Sequence, residues 1–264
     1  MINEQQVALV TGATLGIGLE LAKNLLNNNW VVFGTGRDKD SLNKTKSHSP
    51  NFIPIHADFT QNKDLERVAD TIKDYGLPLQ ISVQNAGMKS PPRPLHQYTC
   101  DSIDEVFYVN LLAPMKLSAL LTDYMPEKSR ILYITSRAAT LHLKESTTYC
   151  ASKAGLDSVA AIVRQELAEK NIGVACVIPG EVDTRIQKTL RETTSFHLHE
   201  LFINAYNAGQ LISPQICAEF LKWFLCDLSF EQFKNSQMPI SIYDRWHHHH
   251  WLKDTSKLPA FPFE

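Results

Sequence analysis

Tyr149 and Lys153 stand four residues apart in the stretch STTYCASKAGL, among small or apolar neighbours and with no acid between them. Positions i and i+4 share one face of an α-helix, so a helix here points the phenol and the ammonium the same way. A free tyrosine ionises near ~10 and is a poor acid-base group at neutral pH. A positive charge about 5 Å away favours the phenolate by on the order of 3 kcal/mol at an effective dielectric of ~20, roughly 2 pKa units. Such a pair can donate and accept a proton close to physiological pH. Alone, the Tyr-x-x-x-Lys spacing is a common accident, and a surface pair is the default reading.

Other residues give the pair company. Ser136 ends the apolar run RILYITS, and a hydroxyl there can bind and polarise a carbonyl oxygen beside the phenol. Asn110 interrupts an apolar helical stretch, FYVNLLAP, where an amide is unfavourable unless something uses it. Asn85, Ala86 and Gly87 close the run LQISVQ and suit a backbone that passes close to a ligand. PGEVDT follows another apolar run; it carries Pro179 and Gly180 and offers the Val182 backbone and the Thr184 hydroxyl to a ring amide.

A second group of residues addresses phosphate. Gly12, Gly16 and Gly18 in VTGATLGIG lie between the first apolar run and the first helical stretch. Glycines there let the backbone turn tightly and approach a pyrophosphate, which rests on the N–H groups and positive dipole end of the following helix. At the end of the second run, Gly36 leaves room and Arg37 offers a fork that matches a 2′-phosphate better than a hydroxyl. Asp38 follows closely and works against that phosphate if its carboxylate turns inward. Asp58, just past the third run, can hold an adenine amino group or merely cap a helix.

The elements that must position these residues show in the hydrophobic pattern. VALVT (7–11), WVVFGT (30–35), FIPIH (52–56), LQISVQ (79–84), RILYITS (130–136), IGVACVIP (172–179) and MPISIY (238–243) read as strands. They lack clean alternation, as strands of a parallel sheet do when both faces are covered. Residues 16–28, 62–75, 101–125, 146–170 and 214–227 read as helices. The alternation predicts an α/β, Rossmann-type, doubly wound fold with most candidate residues at the carboxyl ends of strands, where ligands bind in open sheets. Residues 180–213 are the least regular stretch and read as a substrate lid. The expected organisation is one domain over 1–244 and a C-terminal tail over 245–264.

Composition narrows the classes. The chain has 264 residues, 44 % hydrophobic and 20 % charged, with a net charge of −2, so no basic field marks it for nucleic acid or an anionic membrane. Five cysteines without Cys-x-x-Cys or zinc spacing suit a reducing compartment and predict no metal site. The start MINEQQVALV lacks the marks of a signal peptide, and no apolar run approaches the ~20 residues of a membrane helix; a cytoplasmic protein is the expectation. Cys150 reads as a small structural cysteine. His247 to His250, between Trp246 and Trp251, resemble a purification tag but read as a native tail segment. Phe196, Phe202 and Tyr206 fit a pocket wall and the inner face of a short helix equally well.

Together, TGATLGIG, NAG at 85–87, Asn110, Ser136, YCASK and PGEVDT, in this order and spacing, resemble the short-chain dehydrogenase/reductase family, over residues 6–184 closely and 214–244 loosely. The resemblance implies a seven-stranded parallel sheet and hydride transfer to or from a carbonyl carbon; with Gly36 and Arg37 at the end of the second run, the expected cofactor is NADP(H). The resemblance makes Tyr149 the acid-base, has Ser136 hold the substrate oxygen, and has Lys153 bind the nicotinamide ribose and lower the tyrosine pKa. Asn110 would support a water that relays protons to Lys153, and Thr14 and Ile17 join the glycines at the cofactor. It also implies a homodimer or homotetramer and a small carbonyl or alcohol substrate. Gln84 where a first Asn is usual, and IYDRW in place of Asp-Gly-Gly, depart from the pattern. Residues 208–225 and 240–244 are loosely similar to sepiapterin-reductase-like and benzil-reductase-like members, which reduce vicinal dicarbonyls with NADPH. A regulator or scaffold that binds NADP(H) without turnover is the alternative, and it has no need to keep Asn110, Ser136, Tyr149 and Lys153 together.

Overall fold

The seven apolar runs form seven strands: β1 Val7–Val10, β2 Val31–Gly36, β3 Phe52–His56, β4 Ile81–Gln84, β5 Arg130–Ile134, β6 Gly173–Ile178 and β7 Ile240–Ser241. This computed structural model describes residues 5–263; residues 1–4, at the start of the expected 1–244 domain, and Glu264, at the end of the tail, lie outside the described residues. All pairings are parallel, in the order β3-β2-β1-β4-β5-β6-β7. The order reverses between β1 and β4, which opens a crevice at their carboxyl ends.

The missing alternation has a direct cause. In β1, Val7 and Leu9 pack into the core on one face of the sheet while Ala8 and Val10 pack into the core on the other, and none of the four is exposed. Helices cover both faces: α1 Gly16–Asn27, α2 Lys39–His48, α3 Asn62–Asp74, α4 Cys100–Phe107, α5 Ala113–Leu121, α6 Ala138–Leu141, α7 Thr147–Glu166, α8 Arg185–Glu192, α9 His199–Asn207, α10 Pro214–Lys222, α11 Phe230–Lys234 and α12 His248–Trp251. α3 shows the rule for the covering helices: Leu65, Val68, Ala69 and Ile72 form one buried stripe and the rest faces water. No helix among the described residues is long and apolar enough to cross a membrane, and no group of residues there could hold a metal.

Three expectations are corrected. α2 is not among the stretches that read as helices, because it buries only Leu42 and Thr45; Asp38 starts it by accepting from the Asp40 and Ser41 amides. The stretch 101–125 is not one helix, because a π-helical turn, Tyr108–Leu112, separates α4 from α5. The stretch 180–213 is not irregular either: it contains α8 and α9, and Leu190 of α8, Phe196 between the two helices and Phe202 of α9 form a small core with Phe263 from the tail.

The last strand is short, and side chains finish its outer edge. The Ser241 amide donates to Asp244 Oδ2 at 2.9 Å, and its carbonyl oxygen lies 3.0 Å from His247 Nε2. His248 Nε2 lies 2.8 Å from the Ile242 carbonyl oxygen. Trp251 donates its indole N–H to His247 Nδ1 at 2.9 Å and packs on Phe220, while Trp246 stays 57 % exposed.

Candidate active site

The crevice at the switch point opens into a cleft of about 900 Å³. Of the residues singled out by sequence, Gly12, Thr14, Gly16, Ile17, Arg37, Asp58, Asn85, Ala86, Gly87, Ser136, Tyr149, Lys153, Pro179, Gly180, Val182 and Thr184 line it; Gly18 and Asn110 stand behind its wall. Gly12 has φ +70°, and a Cβ there would meet the Ala86 Cα at 3.0 Å. At Gly18 the reason for glycine is close packing: a Cβ would lie 2.3 Å from the Gly12 carbonyl oxygen and 2.5 Å from Asn85 Nδ2. Thr11, which reads in sequence as plain strand, ties the two halves together. Its hydroxyl accepts from the Asn85 and Ala86 amides at 2.9 Å each, and Asn85 Nδ2 donates back to the Thr11 carbonyl at 2.8 Å.

This end of the cleft suits an anionic nucleotide. Leu15 precedes α1 without a side-chain cap, and the first turn carries no acid, so its N–H groups and positive dipole end are left for a ligand. Thr14 packs its methyl against Gly36, where a Cβ would come within 2.3 Å of it. Arg37 is mostly exposed, with a loose contact to Glu105 at 3.9 Å. The Asp38 carboxylate is not turned onto Arg37; its bonds to α2 and to the Ser41 hydroxyl hold it there, and they lower its pKa. Asp58 accepts from the Thr60 amide and hydroxyl through Oδ1, both at 3.0 Å. It is therefore a turn-forming aspartate at the cleft rim; the cap position of α3 is Gln61, whose side chain makes no capping bond. Thr184 starts α8 without using its hydroxyl as a cap, and the Val182 amide donates to the Gly180 carbonyl at 3.1 Å.

At the other end, α7 carries Tyr149 and Lys153 on its buried face. Lys153 Nζ lies 6.0 Å from the Tyr149 ring centroid and donates to the Ile134 carbonyl at 2.8 Å. Burial pushes its pKa down to about 8, against the opposing pull of Cys176 and Asp157. Burial also dominates Tyr149, whose pKa rises to about 12, with a side-chain hydrogen bond to Ser136 opposing the rise. The shift runs opposite to the expected lowering because desolvation of the phenolate leads it, and the Lys153 ammonium is not among its causes. Ser136 Oγ also accepts from the Ala138 amide at 3.1 Å.

Asn110 is fully buried in the π-helical turn, and its amide is used by protein. Oδ1 accepts from the Met88 amide at 2.8 Å, and Nδ2 donates to the Met88 carbonyl at 2.9 Å and to Ser152 Oγ at 3.1 Å. It clamps the loop after β4 onto α7. Beside this clamp, Lys89 and Glu181 also line the cleft, and nothing in their type or spacing singles them out in the sequence. The outer wall comes from Leu190, Leu198 and Phe202 of the α8–α9 region and from Phe261 and Phe263 of the tail. Phe261 lies 3.8 Å from the Arg137 guanidinium carbon, and Phe263 meets Phe202 edge-on at 4.8 Å. Phe196 is buried behind this wall, and Tyr206 is exposed, covering Arg191 at 4.1 Å. Cys150 is buried under Tyr149 and Ala138.

Residues 6–195 match the family described as short chain dehydrogenase. A benzil reductase ((S)-benzoin forming) of Saccharomyces cerevisiae is 28 % identical over 232 residues, covering 82 % of this chain and 88 % of that protein. A protein of the same description from Bacillus subtilis is 29 % identical, covering 81 % of this chain and 90 % of its own length. An L-xylulose reductase of Caenorhabditis elegans is 34 % identical, covering 67 % of this chain and 71 % of that protein. Among solved structures, a short chain dehydrogenase/reductase from Saccharomyces cerevisiae has a TM-score of 0.81 at 21 % identity, over 91 % of this chain and 97 % of that one, a likeness of fold.

Proposed function

The chain belongs to the short chain dehydrogenase family, and from that premise we propose that it is an NADPH-dependent carbonyl reductase acting on vicinal dicarbonyl compounds. The observation that carries this reading is that Ser136, Tyr149 and Lys153 line one cleft with the glycine turn after β1. When bound, the dinucleotide supplies the hydride. Gly12, Thr14, Gly16 and Ile17 would hold its pyrophosphate at the start of α1, and Arg37 its 2′-phosphate. Asp58 and Asn85–Gly87 would border the adenosine half, and Lys153, Pro179, Gly180, Val182 and Thr184 the nicotinamide half.

Ser136 binds the substrate carbonyl oxygen and orients it toward Tyr149. As negative charge develops on that oxygen, Tyr149 gives it the phenolic proton. A phenol with a pKa near about 12 stays protonated across the neutral range, which supports the reductive direction. Lys153 then stabilises the phenolate. Asn110 acts behind it by fixing the β4 loop, which keeps Gly87 packed beside Lys153: a Cβ there would lie 3.6 Å from Nζ. The substrate class follows the benzil reductases among the relatives and the apolar outer wall.

The test is a carbonyl panel followed by nicotinamide absorbance, with Tyr149→Phe as control. That substitution removes only the ionisable hydroxyl, so folding and coenzyme binding should survive while turnover falls at least ~10²–10⁴-fold. A purified variant that keeps more than about a tenth of the wild-type rate refutes the role of Tyr149.

A further inference from the structure

Lys89 is 9 % exposed, yet its ammonium faces the cleft. Nζ lies 5.0 Å from the Tyr149 ring centroid and 5.8 Å from that of Phe196. Among the described residues it makes no hydrogen bond and no ion pair. Glu181 is close enough for its charge to be felt, but Gln187 Nε2 donates to the Glu181 carboxylate instead. The backbone leading into Lys89 is held, because the Asn110 amide engages both polar groups of the preceding Met88. The nitrogen itself is not sealed off, so water in the cleft reaches it; an ammonium mostly stripped of water, with three donors and no protein acceptor, is better served by an acceptor that a ligand brings.

We propose that Lys89 is the second substrate anchor: its ammonium donates to an acceptor oxygen on the carbon next to the reacting carbonyl. This rests on the reductase reading above and gives it a specificity determinant. With Ser136 and Tyr149 holding one oxygen and Lys89 the other, the substrate is pinned at two adjacent atoms, and a simple ketone lacks the second handle. The acceptor can be a neutral carbonyl, as in a vicinal diketone, or a carboxylate, as in a 2-oxo acid; both present an oxygen at that place. Lys89 keeps its charge at neutral pH, since burial lowers its pKa only to about 8.

The experiment compares wild type and Lys89→Met on propiophenone, phenylpropanedione and benzoylformate, which differ in the group bonded to the reacting carbonyl. The kcat/KM of the substrates with a second oxygen should fall about 10- to 150-fold more than that of propiophenone, the range of one hydrogen bond to a charged group. Taking this ratio cancels the greater electrophilicity of the activated ketones. The larger loss on benzoylformate identifies a carboxylate as the preferred acceptor, and the larger loss on phenylpropanedione a carbonyl. A second measurement needs no variant: the wild-type KM should be at least about tenfold lower for the better of the two activated substrates than for propiophenone. Equal losses on all three overturn the proposal, as does a variant that fails to fold beside wild-type KM values that do not differ. Turnover that ignores the second oxygen removes only the Lys89 assignment. Absence of any carbonyl reduction with either coenzyme overturns the reductase reading and Lys89 with it.

Discussion

Replacing Lys153 with methionine should change how stability depends on pH. The Lys153 side chain is 4 % exposed, and burial lowers its pKa from 10.5 to about 8. Below pH 8 the folded and unfolded chains both carry the proton, and the folded state bears the whole cost of the buried charge. Between about 8 and 10.5 the unfolded chain holds a proton that the folded chain has released, so unfolding free energy rises with pH in that window. The full cost is about 3 kcal/mol, and moving from pH 7 to pH 9 relieves about 1 kcal/mol of it. Burial also pushes up the Cys217 thiol and the Tyr133 and Tyr243 phenols, which act in the opposite sense at higher pH. Wild type and Lys153→Met share those groups, so their difference isolates the lysine. Urea unfolding of both proteins at pH 7 and pH 9 should show wild type gaining about 1 kcal/mol relative to the variant, or about 2–4 °C in melting temperature. A difference that does not change with pH means Lys153 titrates as in water, and the account of a dry ammonium beside Tyr149 is wrong.

Two further outcomes are expected. Arg37→Ala should erase most of an at least ~10-fold preference for NADPH over NADH in kcat/KM and leave the NADH rate nearly untouched; its exposed contact to Glu105 contributes little to stability. A wild type that uses both coenzymes equally refutes the phosphate role. Phe261→Ala should raise KM for an aryl ketone about five- to tenfold, because it opens the outer wall beside Arg137 and leaves the aryl ring facing water. An unchanged KM means the tail does not touch substrate.

The parallel sheet was legible because its strands are covered on both faces, which leaves short apolar runs, too brief for helices, at intervals between the helical stretches. α2 was illegible because a helix that buries two side chains has almost no periodic signal. The break at 108–112 was hidden for a different reason: a π-turn adds one residue to a helix without altering its composition. In the cleft, types and spacing brought together the glycine turn, Ser136, Tyr149 and Lys153, since each sits at a strand end or on one helix face. Lys89 could not be found that way. Its neighbours SPPRPL suggest an exposed loop, and only the Asn110 clamp and the packing of Phe196 turn it inward. The desolvation that leads the Tyr149 shift was hidden similarly, because spacing reports a nearby charge and says nothing of the water removed around it.

The four histidines bear on how the sheet ends. Trp251 gives its indole proton to His247 Nδ1, so that nitrogen is an acceptor and the ring must carry its own proton on Nε2, which then donates to the Ser241 carbonyl. Burial agrees, lowering the pKa of His247 to about 4. With Asp244 taking the Ser241 amide, the outward donor and acceptor at the middle of this edge are both engaged. A bare parallel edge is a template for recruiting another chain's strand, and proteins blunt such edges in several ways. Here a tag-like run does the blunting: a strand from a second molecule would have to displace an imidazole and a carboxylate before forming its first rung, so accretion at β7 is blocked by side chains alone.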